Sequence, residues 1–241
     1  MSFTIWQWYR SSPYRRKGLL LNNLLQHLSR SVASSLARQF ALIDLLGDRH
    51  WAVDTGAGTI TFGEDFRFPI QFLGTEGYRD QTWLWAWANT QSNLPPNLLR
   101  AANWLQEYGR QQHIPELTEA TLPLDQVDGH LLALLSATLT GLCYYRGPYQ
   151  GGAAFLLLET VPDSVLMPAQ PERVVSVLAQ AISMYELDHR TLVESFLTQQ
   201  GWHVETTATV IAGQHPGGSD LRVEFDGQGR ISDMQSTLKP G

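Results

Sequence analysis

TWLWAWAN at residues 82–89 is the stretch that decides the fold of this 241-residue chain. Its tryptophans Trp83, Trp85 and Trp87 stand at every second position, and the residues between them are Leu and Ala. Successive side chains of a strand point to opposite faces of a sheet, so this stretch predicts a strand that is apolar on both faces. Such a strand is typical of the centre of a sheet that is covered on both sides.

Three more strands are predicted before this stretch, and together the four form an antiparallel meander. Residues 51–54 and 59–62 flank a short glycine-containing turn, which is the pattern of a hairpin. Apolar side chains alternate over residues 66–72, although Pro69 favours an edge strand or a weakened one. Residues 74–80 are predicted to form the loop that leads into the tryptophan strand.

Amphipathic helices are predicted to pack on the meander. Apolar residues recur at spacings of three and four from residue 21 to residue 43, and Gly47 is the expected end of this first helix. At 1.5 Å per residue it spans roughly 40 Å, with Ser34 and Ser35 as a candidate bend. Later helices are predicted over residues 95–109, 126–140, 171–185 and 188–201.

The C-terminal part of the chain predicts a second group of strands. After a hairpin over residues 142–160, three strands are predicted at 202–212, 221–226 and 231–238. The predicted fold class is therefore α+β: an antiparallel β-meander packed by amphipathic helices, with a C-terminal helix plus three-stranded β unit. The predicted domains are an N-terminal arm at 1–17, a main domain at 18–187 and a C-terminal unit at 188–241 whose strands are free to continue the main sheet.

The N-terminal arm combines basic and aromatic residues. It carries Arg10, Arg15, Arg16 and Lys17, and no acidic residue precedes Asp44. Such a run is either a solvated arm whose aromatic residues pack on the body, or a contact for a partner or an anionic surface. The net charge of −6 and the pI near 5.6 disfavour general binding to nucleic-acid backbones, which requires clustered Lys and Arg.

Two segments together resemble an uncharacterised bacterial family, a domain of unknown function. They are Gln71-Phe-Leu-Gly-Thr75 and the tryptophan strand, which match a Leu-Gly-Thr strand end followed by Trp-x-Trp-x-Trp-Ala-Asn. The hairpin at 51–62 resembles the family as well, so the resemblance extends over residues 20–160. It implies an α+β fold made of a helix, a meander, further helices and a hairpin. It implies no activity and no catalytic residue.

The tryptophan strand has two functional interpretations. Its three indoles are either a core floor on which helices lie, or an aromatic cleft that stacks on a ligand. Asn89 either organises its own turn or hydrogen-bonds a ligand at the end of the row. The candidate ligand-binding residues are Trp83, Trp85, Trp87 and Asn89, and the candidate partner or anion contacts are Arg10, Arg15, Arg16 and Lys17.

The sequence contains no recognisable catalytic or metal-binding signature. Asp125, Asp128 and His130 form the densest cluster of acidic residues and histidine, followed by residues 186–189, and both clusters lie where helices begin. Helix capping explains the carboxylates there. The single cysteine, Cys143, lies in an apolar strand and excludes an intrachain disulfide or a CxxC motif. We therefore predict no catalytic residue, no metal and no cofactor.

These patterns favour a non-enzymatic protein-interaction protein, either an adaptor or a chaperone-like partner binder, with self-association through the first helix as a variant. The alternative is a small-ligand-binding domain with a tryptophan-lined cleft, and an enzyme is the third choice. Nucleic acid is disfavoured as a partner. A cytoplasmic protein without a membrane span is expected, because the sequence lacks a run of 18 apolar residues and a secretory signal.

Overall fold

The structure, a computed structural model, describes residues 28–239 in two compact units. The first unit is Leu42–Val161, and the second combines residues 28–41 and 162–239. Helices and antiparallel sheets make up both units, so the predicted α+β class is confirmed. The predicted boundary after residue 187 differs from this grouping, and the division into folding domains stays a prediction.

The first unit is built on a seven-stranded antiparallel sheet. In chain order its elements are the end of α1 (Val32–Leu46), β1 (Trp51–Asp54), β2 (Thr59–Phe62), β3 (Phe66–Gly77), β4 (Thr82–Trp85), α2 (Arg100–Gln112), α3 (Pro115–Thr118), β5 (Thr121–Pro123), α4 (Gly129–Thr140), β6 (Cys143–Tyr149) and β7 (Gly152–Leu158). Strands β1 to β5 are neighbours in sequence order, β7 pairs with β3, and β6 pairs with β7. The predicted meander of four strands is confirmed, since each strand from β1 to β4 pairs with the next.

Strand β3 is the central element of this sheet and is longer than the sequence predicted. It pairs with β2, β4 and β7, and its pairing with β7 shifts register between Phe72 and Gly74. The predicted loop at 74–80 is wrong in its first half, because residues 74–77 continue the strand. Gly74 permits this course: a Cβ atom there would lie 2.3 Å from the Trp83 ring.

The tryptophan strand is shorter than predicted. Strand β4 ends at Trp85, and Ala86–Ala88 form a 3-10 turn. The backbone N–H of Asn89 donates to the carbonyl of Ala86 at 3.2 Å, which closes this turn. Trp87 therefore leaves the alternating row, and the prediction of three indoles on one strand face is wrong in its last member.

Helix α2 runs past the glycine that was predicted to end it. It continues to Gln112 and closes at His113, whose φ of 55° is left-handed. Gly109 instead serves a close contact, because a Cβ atom there would lie 2.5 Å from the Cβ of Leu117. The missing side chain thus lets α3 pack directly on α2.

The second unit has its own four-stranded sheet. Its elements are the start of α1, then α5 (Asp163–Leu166), α6 (Pro171–Met184), α7 (His189–Gln199), β8 (His203–Thr206), β9 (Val210–Gln214), β10 (Asp220–Phe225) and β11 (Ile231–Thr237). The strand order is β11-β10-β9-β8. The predicted number of three strands is wrong, because the stretch 202–212 turns at Thr207, whose N–H donates to the carbonyl of Val210 at 2.8 Å.

The first helix is only partly within the described residues. Helix α1 begins at Val32 after a turn over residues 29–31, so the predicted helix over residues 21–43 is interrupted there, and α1 continues through Ser34 and Ser35. The N–H of Ser31 donates to the carbonyl of Leu28 at 2.9 Å in this turn. The predicted arm, with its four basic residues, lies outside the part of the chain that the structure describes.

Candidate functional site

The tryptophans predicted to bind a ligand lie in two different environments. Trp83 and Trp85 have no exposed surface, and their rings meet edge to face with centroids 5.3 Å apart. Trp85 donates its ring N–H to the carbonyl of Glu116 at 3.0 Å, whereas Trp87 lies in the 3-10 turn and is half-buried. The contacts of the first two are those of core residues. Ligand binding by the three indoles stays a prediction.

Asn89 organises the turn that follows the tryptophans. Its side-chain oxygen accepts the backbone N–H of Ser92 at 3.2 Å, which is the first of the two roles predicted for it. With Thr75 and Leu84 it lines a cavity of about 50 Å³, on the face of β4 opposite Trp83 and Trp85. Sites for drug-sized ligands occupy roughly 300–1,000 Å³, so this cavity is too small for such a ligand. A ligand contact by Asn89 stays a prediction.

A set of polar side chains lies between the sheet of the first unit and the first turn of α4. This set, the Glu76 cluster, comprises Glu76, Asp128, His130, Tyr144 and Arg146. Glu76 comes from β3, Tyr144 and Arg146 come from β6, and the other two residues come from the start of α4. Strand β7 separates β3 from β6, so the cluster spans three adjacent strands and one helix end.

Glu76 joins these elements through two hydrogen bonds. One carboxylate oxygen accepts the backbone N–H of Gly129 at 3.1 Å, and the other accepts Nη2 of Arg146 at 3.2 Å. An acidic group is favoured at this position because the N-terminus of a helix carries a partial positive charge. Gly129 has to lack a side chain, since a Cβ atom there would lie 2.6 Å from Oε1 of Glu76 and 2.8 Å from the Phe155 ring.

The pair of Glu76 and Arg146 is removed from solvent. Their side chains are 8% and 20% exposed, and the guanidinium lies 5.8 Å from the centroid of the Phe155 ring. Removing one partner of a buried ion pair costs about 3–5 kcal/mol, because the other charge is left buried without compensation. The pair therefore fixes β3, β6 and α4 in one arrangement.

Burial shifts the pKa values of two residues of the Glu76 cluster in opposite directions. His130 is 2% exposed, its Nδ1 lies 3.0 Å from the hydroxyl of Tyr144, and burial and the charge of Arg146 lower its pKa to about 3. Burial raises the pKa of Asp128 to about 6, and Glu76 adds to this effect. At neutral pH His130 is therefore uncharged and Asp128 is largely charged.

Helix capping is confirmed for one predicted carboxylate in each cluster. Asp128 accepts the N–H of Leu131 at 2.8 Å and caps α4. Asp188 accepts the N–H of Thr191 at 2.7 Å and caps α7. Asp128 and Asp188 therefore serve their helix ends, as the sequence indicated.

Two tyrosines and one arginine form a surface above the Glu76 cluster. Tyr78 and Tyr149 are 43% and 49% exposed, and Nη2 of Arg146 donates to the hydroxyl of Tyr78. Partial burial raises the pKa of Tyr149, and the neighbouring Tyr78 and Asp80 add to this shift. We call Tyr78, Arg146 and Tyr149 the Tyr–Arg patch.

The geometry separates the groups that hold the site from those that face solvent. Strongly shifted pKa values often mark catalytic groups. Here, however, His130 is enclosed by Tyr144 and Phe155, with ring centroids 5.9 Å and 5.5 Å away. A proton carried by such a ring has no direct path to a substrate in solvent. The other cluster residues are therefore suited to holding Arg146, which links them to the exposed Tyr78, and the Tyr–Arg patch is suited to contacting another molecule.

Sequence reasoning found two of the five residues of the Glu76 cluster. It singled out Asp128 and His130 as part of a cluster at a helix start, but it missed Glu76, Tyr144 and Arg146, the last two of which it placed only within the predicted hairpin over residues 142–160. A local signal existed for Glu76, because a glutamate follows directly after the strand end Leu-Gly-Thr75. Its pairing with a residue 70 positions later has no local signal.

Comparison with known proteins places the chain in a family. The first unit defines an α+β protein with a buried ion pair beneath a surface of tyrosine and arginine. The chain belongs to DUF6882, a family of unknown function, whose model matches residues 25–161. This match agrees with the stretch 20–160 that carries the resemblance, whereas the hallmark itself and a bacterial origin stay predictions. No curated protein and no solved structure gives a significant match.

Two features are absent from residues 28–239. No helix there is long and apolar enough to cross a membrane. No group of three or more His, Cys, Asp or Glu side chains is placed to hold a metal ion.

Proposed function

We propose that this chain is a non-enzymatic protein-interaction protein that binds its partner through the Tyr–Arg patch. The observation that carries the proposal is the combination of two tyrosines, nearly half exposed, with an arginine that a buried carboxylate anchors from below. Tyrosine and arginine are among the residues that dominate binding energy at protein interfaces. A rigid scaffold under such residues reduces the side-chain entropy lost on binding.

Charge supports a protein partner over a polyanion. The guanidinium of Arg146 is offset by the carboxylate of Glu76 at 3.2 Å, so the patch offers aromatic area and hydrogen bonds with little net charge. Asp80 beside Tyr149 adds a negative charge at the margin. A phosphate backbone is attracted by uncompensated cations, which the patch does not supply.

Native mass spectrometry of the full chain, purified gently from its host, tests the proposal. We expect the wild-type protein to be purified with a second protein bound to it. In the double variant Tyr78→Ala/Tyr149→Ala, we expect the bound fraction to fall by a factor of about ten or more, because interface tyrosines can contribute over 1 kcal/mol each. Trp104→Ala is the matched control: Trp104 is 48% exposed, on α2 of the same unit, and stacks on Tyr108 at 5.4 Å.

The control gives the experiment its specificity. Trp104→Ala is expected to keep the partner, because it removes a comparable exposed ring outside the patch. The proposal fails if the wild-type chain is a monomer without a bound protein under these conditions. It also fails if the double variant retains the partner at the wild-type level while remaining folded by circular dichroism.

A further inference from the structure

One edge of the four-stranded sheet in the second unit is open. Strand β11 is the last strand of this sheet, and among residues 28–239 it pairs with β10 alone. Five of its seven residues are exposed and the other two are half-buried, so its outer edge is in contact with solvent. An open edge presents a row of backbone N–H and carbonyl groups with which another strand can pair.

The hydrogen bonds of β10 identify which residues of β11 face this edge. The N–H of Phe225 donates to the carbonyl of Thr209, next to β9, so the odd-numbered residues of β10 bond to β9 and the even-numbered residues bond to β11. Beyond the bulge at Phe225, the even-numbered residues of β10 stand opposite odd-numbered residues of β11. The odd-numbered residues of β11 therefore bond inward, and the backbone groups of Met234 and Ser236 point outward.

The extended segment continues beyond the end of β11. The N–H of Lys239 donates to Oγ of Ser219, which directly precedes β10, at 3.1 Å. This bond keeps residue 239 beside β10 and directs its N–H inward, as in the odd-numbered residues of β11. The backbone groups of Leu238 thus point outward together with those of Met234 and Ser236.

The solvent-facing side of this segment carries two charges without a counter-charge. Asp233 stands opposite Glu224 on β10, and like charges in opposite positions repel each other. The one cation beside them, Arg222, is paired with Glu224 at 3.1 Å. Asp233 accepts a hydrogen bond from Gln235, but neither it nor Lys239 forms an ion pair with any of the described residues.

We propose that β11 pairs with β11 of a second copy of this chain, antiparallel about a twofold axis at Ser236. A twofold axis makes the same edge self-complementary, and outward residues have to pair with outward residues. Registers centred on Met234, Gln235 or Ser236 meet this condition. Among these three, only the register centred on Ser236 places Asp233 opposite Lys239 of the second copy, and symmetry forms this contact twice.

The spacing of this register suits both the charges and the backbone. Asp233 and Lys239 of the second copy form a pair without backbone hydrogen bonds, in which the Cα atoms are about 4.5 Å apart and the side chains are closest. The outward residues Met234 and Leu238 of the second copy form a hydrogen-bonded pair, as do the two Ser236 residues. Each such pair exchanges two backbone hydrogen bonds.

The same register covers an exposed leucine. Leu238 is 43% exposed, and it lies on the same face of the sheet as Met234, which stands opposite the buried Val223. In the proposed dimer Leu238 packs beside Met234 of the second copy. The apolar faces of the two sheets then continue across the axis, which adds apolar burial to the hydrogen bonds and charges.

This proposal is independent of the Tyr–Arg patch, because every residue that carries it belongs to the second unit. A homodimer has twice the mass of the chain, whereas a different protein bound at the patch adds its own mass. The two proposals can therefore fail separately.

Sedimentation velocity of the purified full chain, over a range of micromolar concentrations, tests the dimer. We expect wild type to show a concentration-dependent monomer–dimer equilibrium. Asp233→Lys and Lys239→Asp are each expected to raise the dissociation constant about tenfold, because two pairs of opposite charge become pairs of like charge. The double variant Asp233→Lys/Lys239→Asp is expected to return to within about threefold of wild type. Glu205→Lys, an equal change of charge on exposed β8 at the other edge, is the control and is expected to have no effect.

Proline variants test the backbone pairing. Ser236→Pro removes an outward N–H that the sheet of a single chain does not use, so we expect the fold to persist and the dimer to be lost. Thr206→Pro removes an outward N–H from β8 and is expected to leave the dimer intact. Circular dichroism checks that both variants are folded. The proposal is overturned if wild type stays monomeric, if Ser236→Pro dimerises as wild type does, if Thr206→Pro weakens the dimer equally, or if the exchanged charges fail to restore it.

Discussion

Two ion pairs of nearly equal length, one in each unit, show how burial decides what a charge contributes. Glu76 and Arg146 are 3.2 Å apart with side chains 8% and 20% exposed, whereas Glu224 and Arg222 are 3.1 Å apart with 42% and 52% exposed. The first pair connects β3 to β6 beneath α4, and the second joins two positions of one strand. The comparison teaches that distance alone does not rank these contacts, because water competes much more strongly for the second pair than for the first.

Replacing the glutamate of each pair tests this comparison and has the largest expected effect on the free energy of unfolding. We expect Glu76→Ala to lower the free energy of unfolding by about 3–5 kcal/mol, because it leaves Arg146 buried without a counter-charge and Gly129 without its acceptor. The matched variant Glu224→Ala is expected to cost less than about 1 kcal/mol. Urea unfolding of both variants measures the difference. Equal losses would contradict the role assigned to burial.

The pH dependence of stability tests the same buried cluster through His130 and Asp128. The pKa of His130 falls from 6.5 to about 3 on folding. The contribution of His130 to the free energy of unfolding is therefore present above pH 6.5 and is lost as the pH falls towards 3. The pKa of Asp128 rises from 3.8 to about 6 on folding. The contribution of Asp128 to the free energy of unfolding is therefore present below pH 3.8 and is lost as the pH rises towards 6. Between pH 4 and 6 the two residues therefore change the free energy of unfolding in opposite directions, which gives two opposed slopes of stability against pH.

Single variants are expected to expose each slope. In Asp128→Asn, which keeps a capping residue, stability rises with pH between 4 and 6 by up to about 1.4 kcal/mol per pH unit. In His130→Gln, stability falls with rising pH over the same interval, with a similar upper limit. Urea midpoints measured at half-unit steps give the slopes. Parallel pH profiles for the two variants would refute the opposed titrations.

Local patterns explain how much of the fold was predictable. Strands β1 and β2 begin and end where the sequence predicted, since alternation and a short turn act within a dozen residues. The caps Asp128 and Asp188 were equally local. Strand β3 ran longer than predicted because its second half pairs with β7, which lies far along the chain, as well as with the adjacent β4.

The candidate site was predictable only where its residues are close in sequence. Asp128 and His130 adjoin a helix start, and their cluster was recognised there. Glu76 and Arg146 meet because a 12-residue strand and a hairpin bring them together, and no spacing rule links them. The indole row looked continuous by alternation, but the 3-10 turn after Trp85 depends on backbone hydrogen bonds that side-chain periodicity does not encode.

Salt gives the smallest expected effect and the finest test of the two ion pairs. In double-mutant cycles, the coupling energy between Arg222 and Glu224 is expected to be a few tenths of a kcal/mol in dilute buffer and to vanish near 1 M NaCl, where the screening length falls to about 3 Å. The coupling between Arg146 and Glu76 is expected to change little, because salt screens a pair whose side chains are 20% and 8% exposed much less than it screens an exposed pair. Urea unfolding of the four proteins of each cycle, at low and high salt, measures both couplings. If the Glu76 coupling also disappears in salt, water and ions reach that pair, and the rigid support assigned to the Tyr–Arg patch is lost with it.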